Sequence, residues 1–295
     1  MILHSLEGRF LGMAGSYDNA LKDNEASRHI THKIIDSLLF KPICITAKCS
    51  NQCHCISQGT ATFRIMGDFC TRNCGYCALP QGKPLPLDPD EPDKVAKSAK
   101  LLRLKHVVIS SVNRDDLPDG GADHFARVVT AIHESLPETT VEILIHDFRG
   151  NTDPLKIIIE SLPEVITHNV DVVPRLFDEV NTEADYDRSL HVLELLKSWN
   201  PEVVTKSGLI LGIGENDYEV IKVMKDVVDT GCNCLTLGQY LPPSKQHHEL
   251  IRYITNQEFE EYQSLSLQMG YCSARSGPFS CSSFGAYEMY KEIAQ

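Results

Sequence analysis

A chain of 295 residues with 42% hydrophobic content can fill one α/β barrel domain with appended ends. Its formal net charge of −12 at pH 7 argues against affinity gained by neutralising phosphates, and so against a nucleic-acid substrate. The opening MILHSLEGRFLGMAG lacks the apolar core of a secretory signal, and no run approaches the ~18 apolar residues of a membrane span, so a cytoplasmic protein is expected.

Eleven cysteines in such a compartment stay reduced, which favours metal ligation or redox chemistry over disulfides. Seven of them, Cys44, Cys49, Cys53, Cys55, Cys70, Cys74 and Cys77, crowd into one short segment, whereas Cys232, Cys234, Cys272 and Cys281 are scattered. Ordinary buried cysteines have no reason to crowd in this way. Beyond them, short β-branched runs alternate with stretches of helical period, the pattern of βα units around a parallel sheet.

Strands are expected at 60–66, 106–111, 141–145, 165–170, 206–211 and 234–239. Helices are expected at 93–104, 123–136, 154–161, 183–198, 218–230 and 257–269. Five prolines between Pro80 and Pro92 predict an extended loop directly after the last clustered cysteine. His247 and His248 fall in a polar stretch and are expected to be solvated. Together these elements predict a partial (β/α)6 TIM-like barrel at 60–270. A 1–59 extension carries the first cysteines, a 271–295 tail follows the barrel, and both ends cover the barrel mouth.

Ligands of parallel α/β folds collect at the C-terminal ends of the strands, and the loop after the first strand holds Cys70-Thr-Arg-Asn-Cys74-Gly-Tyr-Cys77. Three thiolates and no fourth suit a [4Fe–4S] cluster that keeps one iron open, whereas structural zinc requires four protein ligands. The upstream group, Cys44-Ile-Thr-Ala-Lys-Cys49-Ser-Asn-Gln-Cys53-His-Cys55, supplies another set. Spacing alone leaves Cys53 and Cys55 as alternatives for its third member.

The order CxxxxCxxxxxC, GTATFRIMGDFCTRNCGYC, SSVNRDDLPDGG, THNVDVVPRLF, ADYDRSL, KSGLILGIGE, TLGQYLPPS and SGPFSCSSF resembles the lipoyl synthase family of radical S-adenosylmethionine enzymes. That resemblance implies two [4Fe–4S] clusters. One lies on Cys70, Cys74 and Cys77, where S-adenosylmethionine is bound and cleaved. The other, an auxiliary cluster, lies on Cys44, Cys49 and Cys55. The family's Arg-Ser-Ser-Tyr motif falls on Cys281-Ser282-Ser283-Phe284, which carries the auxiliary serine ligand to Ser283 and leaves the arginine and tyrosine replaced.

For S-adenosylmethionine the resemblance implies contacts from Tyr76, Asn169, Arg188, Gly212 and Glu215. The implied reaction places two sulfur atoms, drawn from the auxiliary cluster, at the sixth and eighth carbons of an octanoyl group on a lysine. The implied partners are octanoylated lipoyl-carrier domains, namely the E2 subunits of 2-oxoacid dehydrogenases and the glycine cleavage H protein, with a ferredoxin- or flavodoxin-type electron donor.

Overall fold

The computed structural model describes residues 37–294, Lys48 and the side chain of Cys53 excepted. Phe40–Gln295 form one compact unit, distinct from Met1–Leu39. Two short helices, α1 (Ile43–Thr46) and α2 (Gln52–Ser57), carry the first cysteines, and both pack beside the first strand, β1 (Thr60–Ile65). The sequence foreshadows neither helix, because each is a single turn or little more.

From β1 the chain runs through α3 (Glu91–Leu101), β2 (His106–Ser111), α4 (Ala122–Ser135), β3 (Thr140–Leu144), α5 (Asp153–Glu160) and β4 (Val165–Thr167). It continues through α6 (Phe177–Val180), α7 (Tyr186–Trp199), β5 (Val204–Leu211), α8 (Asp217–Asp229), β6 (Cys234–Gln239), α9 (Asn256–Met269), β7 (Ser273–Gly277) and α10 (Ala286–Ile293). All neighbouring strands pair in parallel and in sequence order, and β1 does not pair with β7, so the barrel is open on one side.

The six expected strands are present, several shifted by a residue or two. Two differences have physical causes. β4 stops at Thr167, short of the expected 170, because Asp171 takes a left-handed φ of 67° and keeps only an isolated bridge to Leu209. β7 lies in what the sequence offers as tail. Its Ser-Ala-Arg-Ser-Gly carries no β-branched or aromatic residue, and it is held in the sheet by pairing with β6.

Strands buried on both faces form the core, with helices packed outside. Phe125, Val128 and Ile132 of α4 and Val220, Val223 and Val227 of α8 are fully or almost fully buried. α8 and α9 each start at a capping box, Asn216 with Glu219 and Thr255 with Glu258, which satisfies otherwise orphaned backbone donors.

At the lower end of the barrel, where the strands begin, Glu142 is fully buried. It pairs with Lys206 at 2.5 Å, accepts from Thr167 at 2.9 Å and lies 3.3 Å from His106. α10 closes this end. Its Met289 packs with Val165, Val204 and Cys234, while Tyr287 and Tyr290 stack near His106 at ring separations of 5.9 and 6.3 Å. The C-terminal extension therefore divides, its helix sealing the bottom while the residues before it stay with the upper cysteines. Among the described residues, no helix is long and apolar enough to cross a membrane.

Candidate functional site

Directly after β1, Met66 takes a φ of 67° that turns the chain into the loop of Cys70, Cys74 and Cys77. Cys70 is buried, and its sulfur accepts from the backbone N–H of Asn113 at 3.3 Å and of Arg72 at 3.5 Å. The Cys74 thiol donates to Asn181 Oδ1 at 3.3 Å. Burial, reinforced by Asp171 and the neighbouring thiols, pushes Cys74 up to about 12, and burial likewise raises Cys77. The charge of Cys70 adds to the rise at both.

A buried ionic lattice holds this loop to its neighbours. The Arg72 guanidinium donates to Asp115 at 2.8 and 2.9 Å and pairs with Asp147 at 2.7 Å, all three groups being almost fully buried. Arg149 reaches Asp115 at 3.0 Å, and Arg188 reaches Asp147 at 2.7 Å and the Glu183 carbonyl at 2.9 Å. The loops after β1, β2 and β3 are thus tied to the start of α7. Asp115 and Asp147 were not singled out from the sequence, although the acidic pair in Asn-Arg-Asp-Asp directly after β2 was a visible signal. Arg188 stands at the edge of the site with its Nε committed to this lattice.

Tyr76 points its hydroxyl to Asp171 Oδ2 at 2.7 Å and accepts from Asn181 Nδ2 at 3.0 Å. Burial raises the Asp171 carboxyl to about 6. Asp171 also takes a positive φ of 67° and bridges β4 to β5 beside Leu209, so its backbone and side chain both shape the site. An acidic residue interrupting the apolar run Val170–Val173 was the cue for it in the sequence. His247 is half-buried rather than solvated. Its Nε2 donates to the Cys77 carbonyl at 3.1 Å, and the His248 N–H reaches Gly75 O at 2.8 Å, fastening the loop from above.

Across the barrel, β5 ends in a turn built around Glu215. Its carboxylate is buried and accepts from the N–H groups of Gly212, Ile213 and Gly214 at 2.6, 3.0 and 3.1 Å. Gly212 adopts a φ of +92°, and a Cβ there would come within 2.3 Å of Gln239 Nε2 and 2.4 Å of Arg252 O. Only glycine fits. Asn169, just past β4, exchanges hydrogen bonds of 2.9 and 3.0 Å with the hydroxyl of Ser282 from the tail.

The second thiol group lies beside β1. Cys44 sulfur accepts from Thr62 N–H at 3.4 Å, and Cys49 N–H donates to the Cys44 carbonyl at 2.9 Å. Burial raises all three thiols, most strongly Cys55, which reaches about 12, and each also feels Cys281. The tail passes above them. Asn51 Nδ2 donates to Phe279 O at 2.7 Å, and the rings of His54 and Phe284 are 5.6 Å apart. Ser283 Oγ lies 3.5 Å from Cys281 Sγ. The Cys53 side chain lies outside the described residues, so the structure does not bear on the alternative it presented.

The described cysteines are free, and among the described residues no group of three His, Cys, Asp or Glu side chains is gathered tightly enough for one metal ion. The donor set nevertheless suits clusters. Three desolvated thiols whose charges repel one another gain most when a polynuclear cation replaces their protons.

An open parallel barrel with a CxxxCxxC loop at its mouth defines a class, and residues 65–227 match the family model described as the Radical SAM superfamily. A structure of Streptococcus suis SuiB bound to S-adenosylmethionine shares the fold, with a TM-score of 0.60 and 12% identity over 97% of this chain and 64% of that one. The lipoyl synthase of Caldanaerobacter subterraneus subsp. tengcongensis is 46% identical over 252 residues, 85% of this chain and 88% of that protein. That of Caldicellulosiruptor saccharolyticus is 44% identical over 273 residues, 92% of this chain and 95% of that protein. The chain belongs to the lipoyl synthase family. Membership brings with it a [4Fe–4S] cluster and S-adenosylmethionine.

Proposed function

We propose that this protein inserts two sulfur atoms, at the sixth and eighth carbons, into an octanoyl-lysine on a lipoyl-carrier protein. The observation that carries this reading is the coexistence of two separate groups of cysteines, one in the loop after β1 and one beside β1, with a single tail reaching both the strand ends and the second group: Ser282 binds Asn169, while Phe279 and Phe284 contact Asn51 and His54 between Cys49 and Cys55.

On this reading Cys70, Cys74 and Cys77 hold one cluster. Cys44, Cys49 and Cys55 hold the auxiliary one, with the tail, where family resemblance points to Ser283, facing its remaining iron. When bound, the first cluster supplies the electron that cleaves S-adenosylmethionine, and the second supplies sulfur.

The protein's own part is to hold and to exclude. The Arg72, Asp115 and Asp147 lattice fixes the first cysteine loop, so its sulfurs keep their spacing when charge is added. N–H groups of Asn113 and Arg72 are aimed at the Cys70 sulfur and fix its position in the loop. Tyr76, Asn169, Gly212 and Glu215 line or shape the S-adenosylmethionine pocket, with Arg188 at its rim. Glu215 acts by holding the glycine turn open, since both its oxygens are taken by backbone donors. The partners on this reading are the E2 and H-type lipoyl carriers, with a ferredoxin- or flavodoxin-type protein as electron donor.

Anaerobically reconstituted protein is expected to hold about eight irons per chain, two clusters' worth; a count near four contradicts the reading. Incubation with an octanoyl-lysine peptide, reductant and S-adenosylmethionine should yield, by mass spectrometry, a product with two sulfurs gained as the dithiol, which loses two hydrogens on later oxidation to the cyclic disulfide. An unchanged peptide in a preparation that cleaves S-adenosylmethionine overturns the assignment. Gly212→Ala should lower stability by ~1–3 kcal/mol, from a strained φ and the approach to Gln239 and Arg252. It should also weaken S-adenosylmethionine binding measured by equilibrium dialysis. Unaltered melting and affinity would show that the turn tolerates a side chain.

A further inference from the structure

The tail over the second thiol group offers two candidate donors, two residues apart. Phe284 N–H donates to the Cys281 carbonyl at 2.9 Å, closing a tight turn that sets Cys281 Sγ 3.5 Å from Ser283 Oγ. Contacts fix this turn over the cysteines from both sides. Before it, Asn51, which lies between Cys49 and Cys55, holds the Phe279 carbonyl; after it, Phe284 rests on His54. Cys281 is exposed and free.

The chemistry of the two donors is unequal. Iron–sulfur clusters favour thiolate, and a thiol gives up its proton far more readily than a serine hydroxyl. Where the family pattern has arginine, this chain has placed a softer and more acidic ligand beside the serine.

We propose that Cys281 is the fourth protein ligand of the auxiliary cluster, its thiolate binding the iron that Cys44, Cys49 and Cys55 leave open, while Ser283 donates its O–H to the Cys281 sulfur. This rests on the two-cluster reading above. On ligation the Cys281 thiol proton passes to water and one Fe–S bond forms, with no change of oxidation state. The consequence is an auxiliary cluster held by four thiolates, which retains its fourth iron more firmly than a serine-ligated one.

The test needs no turnover. In the full, unsubstituted chain, alkylation by iodoacetamide read by peptide mass spectrometry should be slowed at Cys281 by about tenfold or more when clusters are loaded, relative to chelator-stripped protein. In a full-length variant with Cys70, Cys74 and Cys77 all replaced by alanine, about four irons should remain. Adding Cys281→Ala to that variant should change the Mössbauer signature of one iron and speed its loss to chelator, whereas adding Ser283→Ala should leave the signature intact.

Equal labelling of Cys281 in loaded and stripped protein, or a signature altered by Ser283→Ala and not by Cys281→Ala, overturns the ligand assignment while leaving two clusters in place. A triple variant that binds no iron, from a chain whose total is near four, overturns the two-cluster reading and the ligand with it.

Discussion

Cys74→Ala is expected to cut release of 5′-deoxyadenosine by more than about a thousandfold, equivalent to ~4 kcal/mol of barrier, while Cys49→Ala leaves that release intact and abolishes sulfur insertion. The asymmetry follows from where the thiols sit. Cys74 lies in one short loop with Cys70 and Cys77, its thiol on Asn181, which also binds Tyr76. Cys49 answers to Cys44, Cys55 and Cys281 beside β1. Removing one thiol of three from the first group leaves no set able to hold a cluster with an open iron, so the cleavage step is lost. On the proposed reading, removing one from the second spares that step and takes away only the sulfur source. Liquid chromatography of 5′-deoxyadenosine alongside peptide mass measurement separates the two outcomes. The same defect from both substitutions would defeat the division of labour.

Lys206→Met is expected to destabilise the protein by about 3–5 kcal/mol, because it leaves the Glu142 carboxylate buried without its principal counter-charge. For a barrel of this size that corresponds to a melting temperature lower by roughly 10 °C. Burial alone would raise the Glu142 carboxyl, but Lys206, and after it His106, outweigh that cost and hold it at about 2, below its ordinary 4.5. A carboxylate lowered on folding stabilises the fold above its unfolded value. This contribution is therefore full above about 4.5 and declines as pH falls towards 2. Lys206→Met should flatten that acid limb, and Glu142→Leu added to it should recover much of the lost stability by removing the orphaned charge. Scanning calorimetry from neutral to acid pH reads both effects. A double variant no more stable than Lys206→Met alone would show that the pair acts through packing rather than charge.

Much of the barrel was legible because its strands are β-branched and its helices carry stripes at helical period. Val220, Val223, Met224 and Val227 announce α8, and Asn216 with Glu219 marks its start. β7 was not legible, since Ser-Ala-Arg-Ser-Gly has no intrinsic strand preference and takes its conformation from pairing with β6. The CxxxCxxC loop could be found because its donors are adjacent in sequence. The Arg72 lattice could not, because its charges come from three loops that meet only in the folded barrel.

Arg188 and Glu215 show a related limit. A motif marks a residue as belonging to a site without saying whether the side chain faces a ligand or braces a turn, and here both are occupied by protein partners. The tail was legible as a serine motif, but its placement rests on a missing Cβ. At Gly238 of β6, a side chain would fall 2.2 Å from the Ser280 carbonyl, so the strand yields room for the tail to pass.

The contact between Asn51 and Phe279 spans 228 residues of sequence. Cys70, Cys74 and Cys77 leave the ribosome almost together and can be gathered by one short loop. The other three thiols must wait for the tail. At typical synthesis rates of 5–20 residues per second that interval is roughly 10–45 s, during which Cys44, Cys49 and Cys55 stand without their last partner. The two thiol groups are therefore separated in the order of their making, the CxxxCxxC loop being complete well before the tail that reaches Asn51 has been synthesised.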